Sequence, residues 1–247
     1  MDSFVKFTNQ SQGRDRLFRA TQYACMLLRY LLENKAGKEK LVLKLKRVES
    51  NMSSGRKLFR LGNVVHAIEA SKKAVDLSDA FSCYCLTAAN LNRVIYFTCD
   101  TILWVRSVGL VSNINKEKWR HRATRYYFYS LLLNIAVDFY VVLRGIKKVA
   151  KHVKHMDTDA DMERRPDTKL NFLLPTGLGD FLFMLYLSLK NNPPVLLDII
   201  KNTCDLFSPL DRLEIYQTNQ GLIGISGLIS SIVGILTVAK PPLKLKH

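Results

Sequence analysis

His152 and His155 are followed by Asp157, Asp159 and Asp161, a mixture of imidazole and carboxylate from which a metal site could be made. The acidic spacing fails the calcium-loop test, which asks for Gly at the sixth position and Glu at the twelfth, where this chain has Met162 and Thr168. The segment reads as a solvated linker. Gly177, Leu178 and Gly179 form too short a run for a dinucleotide fingerprint and have no strand before them, and no GxxxxGK phosphate loop occurs. The serines near the C-terminus lack a GxSxG context, and no Cys/His pairing marks a nucleophile. Five cysteines, an odd number without a CxxC spacing, suit a reducing compartment and apolar packing positions. The residues thus point away from an enzyme: no catalytic group, metal or cofactor is expected.

What remains is the chemistry of charge beside apolar surface. Leu58, Leu61, Val65 and Ile68 share a helical face, with Arg56, Lys57 and Arg60 beside it. In a membrane-surface helix the first four side chains would enter the acyl region and the three cations would hold anionic headgroups. On periodicity alone, a helix of an ordinary bundle with a solvated basic face fits equally well, and is the simpler reading.

Residues 221–239 are uncharged throughout and are followed by Lys240, Pro241 and Pro242. A helix of that length is about 28 Å long, close to the ~30 Å hydrocarbon core of a bilayer. Gly221, Gly224, Gly227 and Gly234 would weaken a helix in water but permit close helix contacts in lipid. Gly227, Ser230, Ser231 and Gly234 supply a small-residue ridge on which a second copy could pack. This segment is expected to cross the membrane.

Two further stretches are long and apolar. Residues 84–105 contain Arg93 and Asp100, each costing ~2.5–3.5 kcal/mol at a bilayer centre, so this segment is expected to cross only in company with other helices. The two charges are seven residues apart and share a face that could point into a bundle; a buried helix outside lipid fits the same pattern. Residues 126–143 carry Asp138 as their one charge and form another possible span at lower cost.

The remaining elements are helical by period. Leu17, Ala20, Ala24, Leu27, Leu28 and Leu31 predict an amphipathic helix over 14–32 that ends before Gly37. A second helix follows, with Leu41, Leu45, Val48 and Met52 as a seam, Lys40, Lys44 and Arg47 as a basic ridge, and a break expected at Ser53, Ser54 and Gly55. Pro193 and Pro194 suit the start of a helix running to about Ser208. No strand-period segment competes. The fold class expected is all-α: a membrane-associated helical bundle with amphipathic N-terminal helices and a C-terminal transmembrane helix. Its regions are 1–83 (basic, amphipathic, cytosolic), 84–105 (possible transmembrane helix), 106–219 (helical, with a polar linker near 150–170), 220–239 (transmembrane) and 240–247 (short basic cytosolic tail).

The formal charge of +16 is concentrated in the N-terminal half, where residues 1–80 carry 16 Lys and Arg against 8 Asp and Glu. Such a surface suits anionic membrane lipids. Nucleic acid could use the same charge, but the chain has no zinc-finger, helix-turn-helix or aromatic RNA-binding pattern, so no nucleic-acid partner is expected. The N-terminus lacks an apolar signal region, so no cleaved targeting segment is expected.

The strings GRDRLFRATQYACMLLRYLL (13–32), GRKLFRLGNVVHAIEA (55–70), LNRVIYFTCDTILWVRSVGL (91–110), KEKWR (116–120) and PPVLLDIIKNTCDLFSPLD (193–211), with the glycine-rich C-terminal helix, closely resemble the peroxisomal membrane protein 11 (peroxin-11) family, nearest its alpha-like form. The resemblance implies a multi-pass peroxisomal membrane protein with both termini cytosolic and spans matching 84–105 and 220–239. It implies membrane elongation and remodelling by an amphipathic helix within 55–83, self-association with copies of itself and related members, and recruitment of a dynamin-type GTPase through fission adaptor proteins. Some members end in a KxKxx coatomer signal; here Lys244 and Lys246 are one place out of register. The rival reading is a pore for small metabolites lined by Arg93 and Asp100.

Overall fold

A computed structural model describes residues 7–33, 35, 37–161, 178–243 and 245. Among these residues the chain is helical with no strand, as its apolar periodicity requires. The helices are α1 (Ser11–Leu32), α2 (Glu39–Phe59), α3 (Asn63–Val75), α4 (Ala80–Ser107), α5 (Lys116–Asp161), α6 (Leu178–Asn191), α7 (Pro193–Arg212) and α8 (Gln220–Ala239), followed by a 3-10 turn at Pro241–Leu243.

Helix boundaries follow local chemistry. Gly37 (φ 78°) and Gly109 (φ 86°) take left-handed conformations where the chain turns after α1 and after α4. Asp79 caps α4 by accepting from the Ser82 amide at 3.0 Å, and Asn219 caps α8 through the Gly221 amide at 3.2 Å. Pro193 and Pro194 begin α7, where the missing N–H groups cost nothing.

Two expected boundaries move. Ser53, Ser54 and Gly55 do not break the chain, and α2 continues through them to Phe59. The Phe18 ring lies 2.9 Å from where a Gly55 Cβ would stand, so this glycine allows α1 and α2 to approach closely instead of making a turn. The break comes at Arg60–Gly62, which divides the expected membrane face between the end of α2 and α3. The polar linker expected near 150–170 is helical as far as Asp161; residues 162–177 lie outside the described residues.

Packing is organised around two antiparallel pairs, α4 with α5 and α1 with α8. Helix α2 packs on α1, α3 on α4, and α7 joins the pairs by contacting both α5 and α8. The apolar core is small. One cluster is Ala74, Cys85, Leu86 and Val137; another is Val142, Ile146, Met184 and Val195.

The interior is unusually polar for a bundle. Arg19, Gln22, Asn90, Asp100, Asn134, Asp138, Asn202 and Asp205 are all buried. Outside, large apolar side chains follow one another at three- and four-residue spacing: Phe81, Tyr84, Leu91 and Ile95 on α4; Tyr129, Leu132, Phe139 and Leu143 on α5; and Leu222, Ile225, Ile229, Ile232 and Leu236 on α8. In α1 the expected apolar stripe is partly turned outward, with Leu28 and Leu31 exposed while Arg19, Gln22 and Tyr23 face in. A protein with polar groups inside and apolar stripes outside matches a lipid surround better than an aqueous one.

Candidate functional site

The expected inserting face is open. Leu58 (50% exposed), Val65 (68%) and Ile68 (44%) present their side chains to the surroundings, and Leu61, in the turn between α2 and α3, is half-buried. On α3 the buried side is made of Ala67, Ser71 and Ala74, small residues that let the helix lie close against α4 and leave its larger side chains outside.

The expected headgroup contacts are placed differently. Arg56 Nε lies 3.1 Å from Asp15 Oδ1, and the same guanidinium donates to Gln22 Oε1 at 2.8 Å. Arg60 meets Asp100 at 3.1 Å and Asp15 at 3.7 Å, donates to the Tyr96 hydroxyl, and lies over the Tyr96 ring. Both arginines therefore neutralise interior carboxylates and are not free for lipid. Burial pushes the Asp15 carboxyl up, but the Arg56, Arg60 and Arg16 charges outweigh it and hold the group below its ordinary range. Lys57 is half-buried, and burial, opposed by Asp100, draws its ammonium down. Exposed cations stand instead at Lys40, Lys44 and Arg47 on α2 and at Lys72 on α3.

The small-residue ridge of α8 is occupied by the chain's own α1. Antiparallel to α8, Tyr30 covers Gly221, Leu27 covers Gly224, Tyr23 covers Gly227 and Arg16 covers Gly234. A Cβ at Gly227 would come 2.4 Å from the Tyr23 ring. Ser230 and Ser231 are wholly buried; Ser231 donates to the Gly227 carbonyl at 2.6 Å and Ser230 donates to Asp205. With α1 in place this ridge is closed to a second copy.

Asp205 joins four helices. It receives both terminal nitrogens of Arg19 from α1, the Tyr127 hydroxyl from α5 at 3.1 Å and Ser230 from α8, and stands itself on α7. Burial raises its pKa, yet Arg19, above all, and Ser230 draw it below the ordinary carboxylate value. Sequence reasoning missed this centre. Its only signals were an arginine beside the apolar stripe of α1 and one of the three aspartates of α7, neither of which names its partner.

Arg93 and Asp100 both face the interior, as their shared helical face predicts, but do not pair with each other. Asp100 goes to Arg60, whereas the Arg93 charge lies near Asp198 and Asp138, which Asn202 bridges at 3.1 and 2.8 Å. A cavity of about 1580 Å³ runs between α1, α2, α3, α4, α5 and α7 and reaches the end of α8, with Arg16, Arg60, Arg93, Asp100 and Lys201 on its wall.

Among the described residues two helices are long and apolar enough to cross a bilayer, Lys116–Lys148 within α5 and Gln220–Ala239. The C-terminal span is the one expected. The other corresponds to residues 126–143 and not to 84–105, because Arg93, Asp100 and Arg106 lower the apolar character of α4. Among the described residues no cluster of His, Cys, Asp and Glu could hold a metal. The side chains of His152, His155, Asp157, Asp159 and Asp161, and the residues Lys244 and Lys246, lie outside the described residues.

The model of the family described as Peroxisomal biogenesis factor 11 (PEX11) matches residues 1–239. The chain is 57% identical over 250 residues to "Peroxisomal membrane protein 11A" of Homo sapiens, with 100% of this chain and 99% of the relative covered. It is 39% identical over 258 residues to "Peroxisomal membrane protein 11B" of Pongo abelii, with both chains covered in full. It is 24% identical to "Peroxisomal membrane protein PMP30B" of Candida boidinii over 94% of this chain and 91% of that one. No solved structure matches it.

Proposed function

The chain belongs to the Peroxisomal biogenesis factor 11 (PEX11) family, and from that premise we propose that it promotes peroxisome proliferation by remodelling, elongating and helping to divide the peroxisomal membrane. In this reading it is a multi-pass protein with both termini in the cytosol. The observation that carries the proposal is the open apolar face of Leu58, Val65 and Ile68 on a molecule whose other apolar stripes also point outward. An interfacial helix seats its apolar side ~5–10 Å into one leaflet and widens that leaflet relative to the other. Many copies acting together bend the membrane.

The cations that hold headgroups are then Lys40, Lys44, Arg47 and Lys72, with Lys57 at the edge, because Arg56 and Arg60 are committed to Asp15 and Asp100. Self-association through Gly227, Ser230, Ser231 and Gly234 requires α1 to lift from α8. Fission adaptor proteins and a dynamin-type GTPase are the partners that the family resemblance implies for the final cut.

Full-length protein reconstituted into anionic vesicles tests the reading. Val65→Glu and Ile68→Glu together should abolish tubulation, while reconstitution, which depends on α5 and α8, continues. Unchanged tubulation by the double variant rejects this face.

A second reading is a pore for small metabolites, favoured by the large cavity with Arg93 and Asp100 on its wall. Solute flux through reconstituted vesicles that changes on Arg93→Gln supports it; flux no greater than that of empty vesicles removes it.

A further inference from the structure

The cations that line the inner cavity outnumber the carboxylates able to receive them. Around Asp205 and Asp15 stand Arg16, Arg19, Arg56 and Arg60, while only Asp15, Asp100 and Asp205 face them. Arg19 is committed to Asp205, Arg56 to Asp15, and Arg60 to Asp100 and Asp15. Arg16 is left over. Among the described residues it has no hydrogen bond or ion pair, although Asp15 and Asp205 both feel its charge. Its position is fixed by packing: Cδ, Nε and Cζ lie 3.1–3.3 Å from where a Gly234 Cβ would stand, so the arginine rests against bare backbone of α8.

A second orphan lies one turn away. Arg19 Nε is buried with no hydrogen-bond partner, while the other end of the same guanidinium is bound to Asp205. Desolvation first, then the Arg19 charge, draw the Arg16 guanidinium below its ordinary value, and the more distant Asp15 and Asp205 offset this only in part. The space beside these groups is about 1580 Å³, room for far more than the ~30 Å³ of one water. Lys57, Arg93, Arg120 and Lys201 also line the wall, where Arg120 pairs with Glu117, Lys201 pairs with Asp198 and the Arg93 charge lies near Asp198, and Phe97, Leu103 and Leu131 provide apolar surface beside them.

We propose that this cavity binds a phosphate group, carried by a phospholipid head or by a soluble phosphate ester, and that Arg16 is its principal ligand. A phosphate matches what is vacant. A planar guanidinium offers paired donors that phosphate oxygens receive two at a time, and a second orphaned N–H on Arg19 calls for an anion with more oxygens than a carboxylate supplies. The surplus positive charge is balanced when the group is bound. Apart from Lys57, this site shares no residue with the headgroup contacts proposed on the outer faces of α2 and α3, so it holds or fails independently of membrane remodelling.

The test uses the full-length protein in phosphatidylcholine nanodiscs, with phosphatidic acid added to the bilayer in one arm and inorganic phosphate in the buffer in the other. Binding is read from the rise in melting temperature, and on the unaltered protein from protection of Arg16 against phenylglyoxal, located by mass spectrometry. The expected result is a rise of several degrees and slowed labelling of Arg16 in at least one arm. Protection by phosphatidic acid alone assigns a lipid head; protection by inorganic phosphate assigns a soluble ester. Arg16→Gln should weaken binding about tenfold or more, whereas Lys44→Gln, which removes an exposed charge, should leave it unaltered. Labelling of Arg16 at the same rate in both arms as in phosphatidylcholine alone overturns the proposal, whether or not the Arg16→Gln protein folds. Equal binding by Arg16→Gln and the unaltered protein overturns it as well.

Discussion

At the scale of single residues, the buried Arg19–Asp205 pair is the feature whose loss should be felt most. Removing one partner leaves the other charge buried without its counterion, which commonly costs ~3–5 kcal/mol, whereas replacing both with apolar residues of similar volume is often neutral. Asp205→Asn should therefore lower the melting temperature in detergent sharply, and Arg19→Met with Asp205→Leu should recover most of the loss. Equal instability of the single and double variants would contradict this account. Acid should act through the same groups. Asp15 and Asp205 have pKa values below those of an unfolded chain, so their contribution is complete above about pH 4, the ordinary Asp value, and fades as pH falls through the lower folded values. Asp79 adds to this trend: hydrogen bonds from Ser82 first, then Tyr140, hold its carboxyl down at about 2. Melting temperature should decline as pH falls below about 4, and Asp79→Asn should reduce the part of that decline due to the α4 cap.

At the scale of helices, glycines separate close contacts from open turns. Gly227 is pressed by the Tyr23 ring, whereas Gly62 has φ near −83° and no neighbouring atom within 4 Å of its Cβ position. Gly227→Val should force α1 from α8 or strain the pair by ~1–3 kcal/mol, and Gly62→Ala should be neutral or slightly stabilising. Thermal melting compares the two, and a disulfide between cysteines placed at Leu27 and Gly224 should form in the unaltered background but poorly with Gly227→Val. Helices were legible in the sequence because the apolar period of α1, α2 and α3 sets a face in either solvent. Which way that face points was not legible. Leu28 and Leu31 repeat as core residues would, yet lie outside, because a 3.6-residue period records that a helix has two sides and not which side meets lipid. The same limit explains Arg56 and Arg60, whose spacing fits a headgroup clamp while their partners, Asp15 and Asp100, lie far away in the chain. The uncharged C-terminal span was plain from length alone, but the covering of its glycine ridge by α1 depends on tertiary contacts that no local pattern contains.

At the scale of the whole molecule, the polar interior and apolar exterior make one argument about where the protein lives. Helix α4 illustrates it. Alone, its Arg93 and Asp100 would each cost ~2.5–3.5 kcal/mol at a bilayer centre, but within the bundle Asp100 meets Arg60, Arg93 faces the acids of α5 and α7, and the outer side shows Phe81, Tyr84, Leu91 and Ile95. Lipid contact for α4 would thus be conditional on Arg60, α5 and α7 being in place. The outer stripe of α8 needs no such partner. A charge placed there meets hydrocarbon directly, so Ile229→Arg should cost ~2.5–3.5 kcal/mol of insertion and move a share of the protein from the carbonate-resistant pellet to the supernatant. Lys40→Glu, on the exposed basic ridge of α2, should leave extraction unchanged while weakening contact with anionic vesicles by ~1 kcal/mol for each charge removed. If Ile229→Arg stays as firmly in the pellet as the unaltered chain, that stripe does not face hydrocarbon, and the inversion of polar and apolar surfaces must be explained by protein contacts instead.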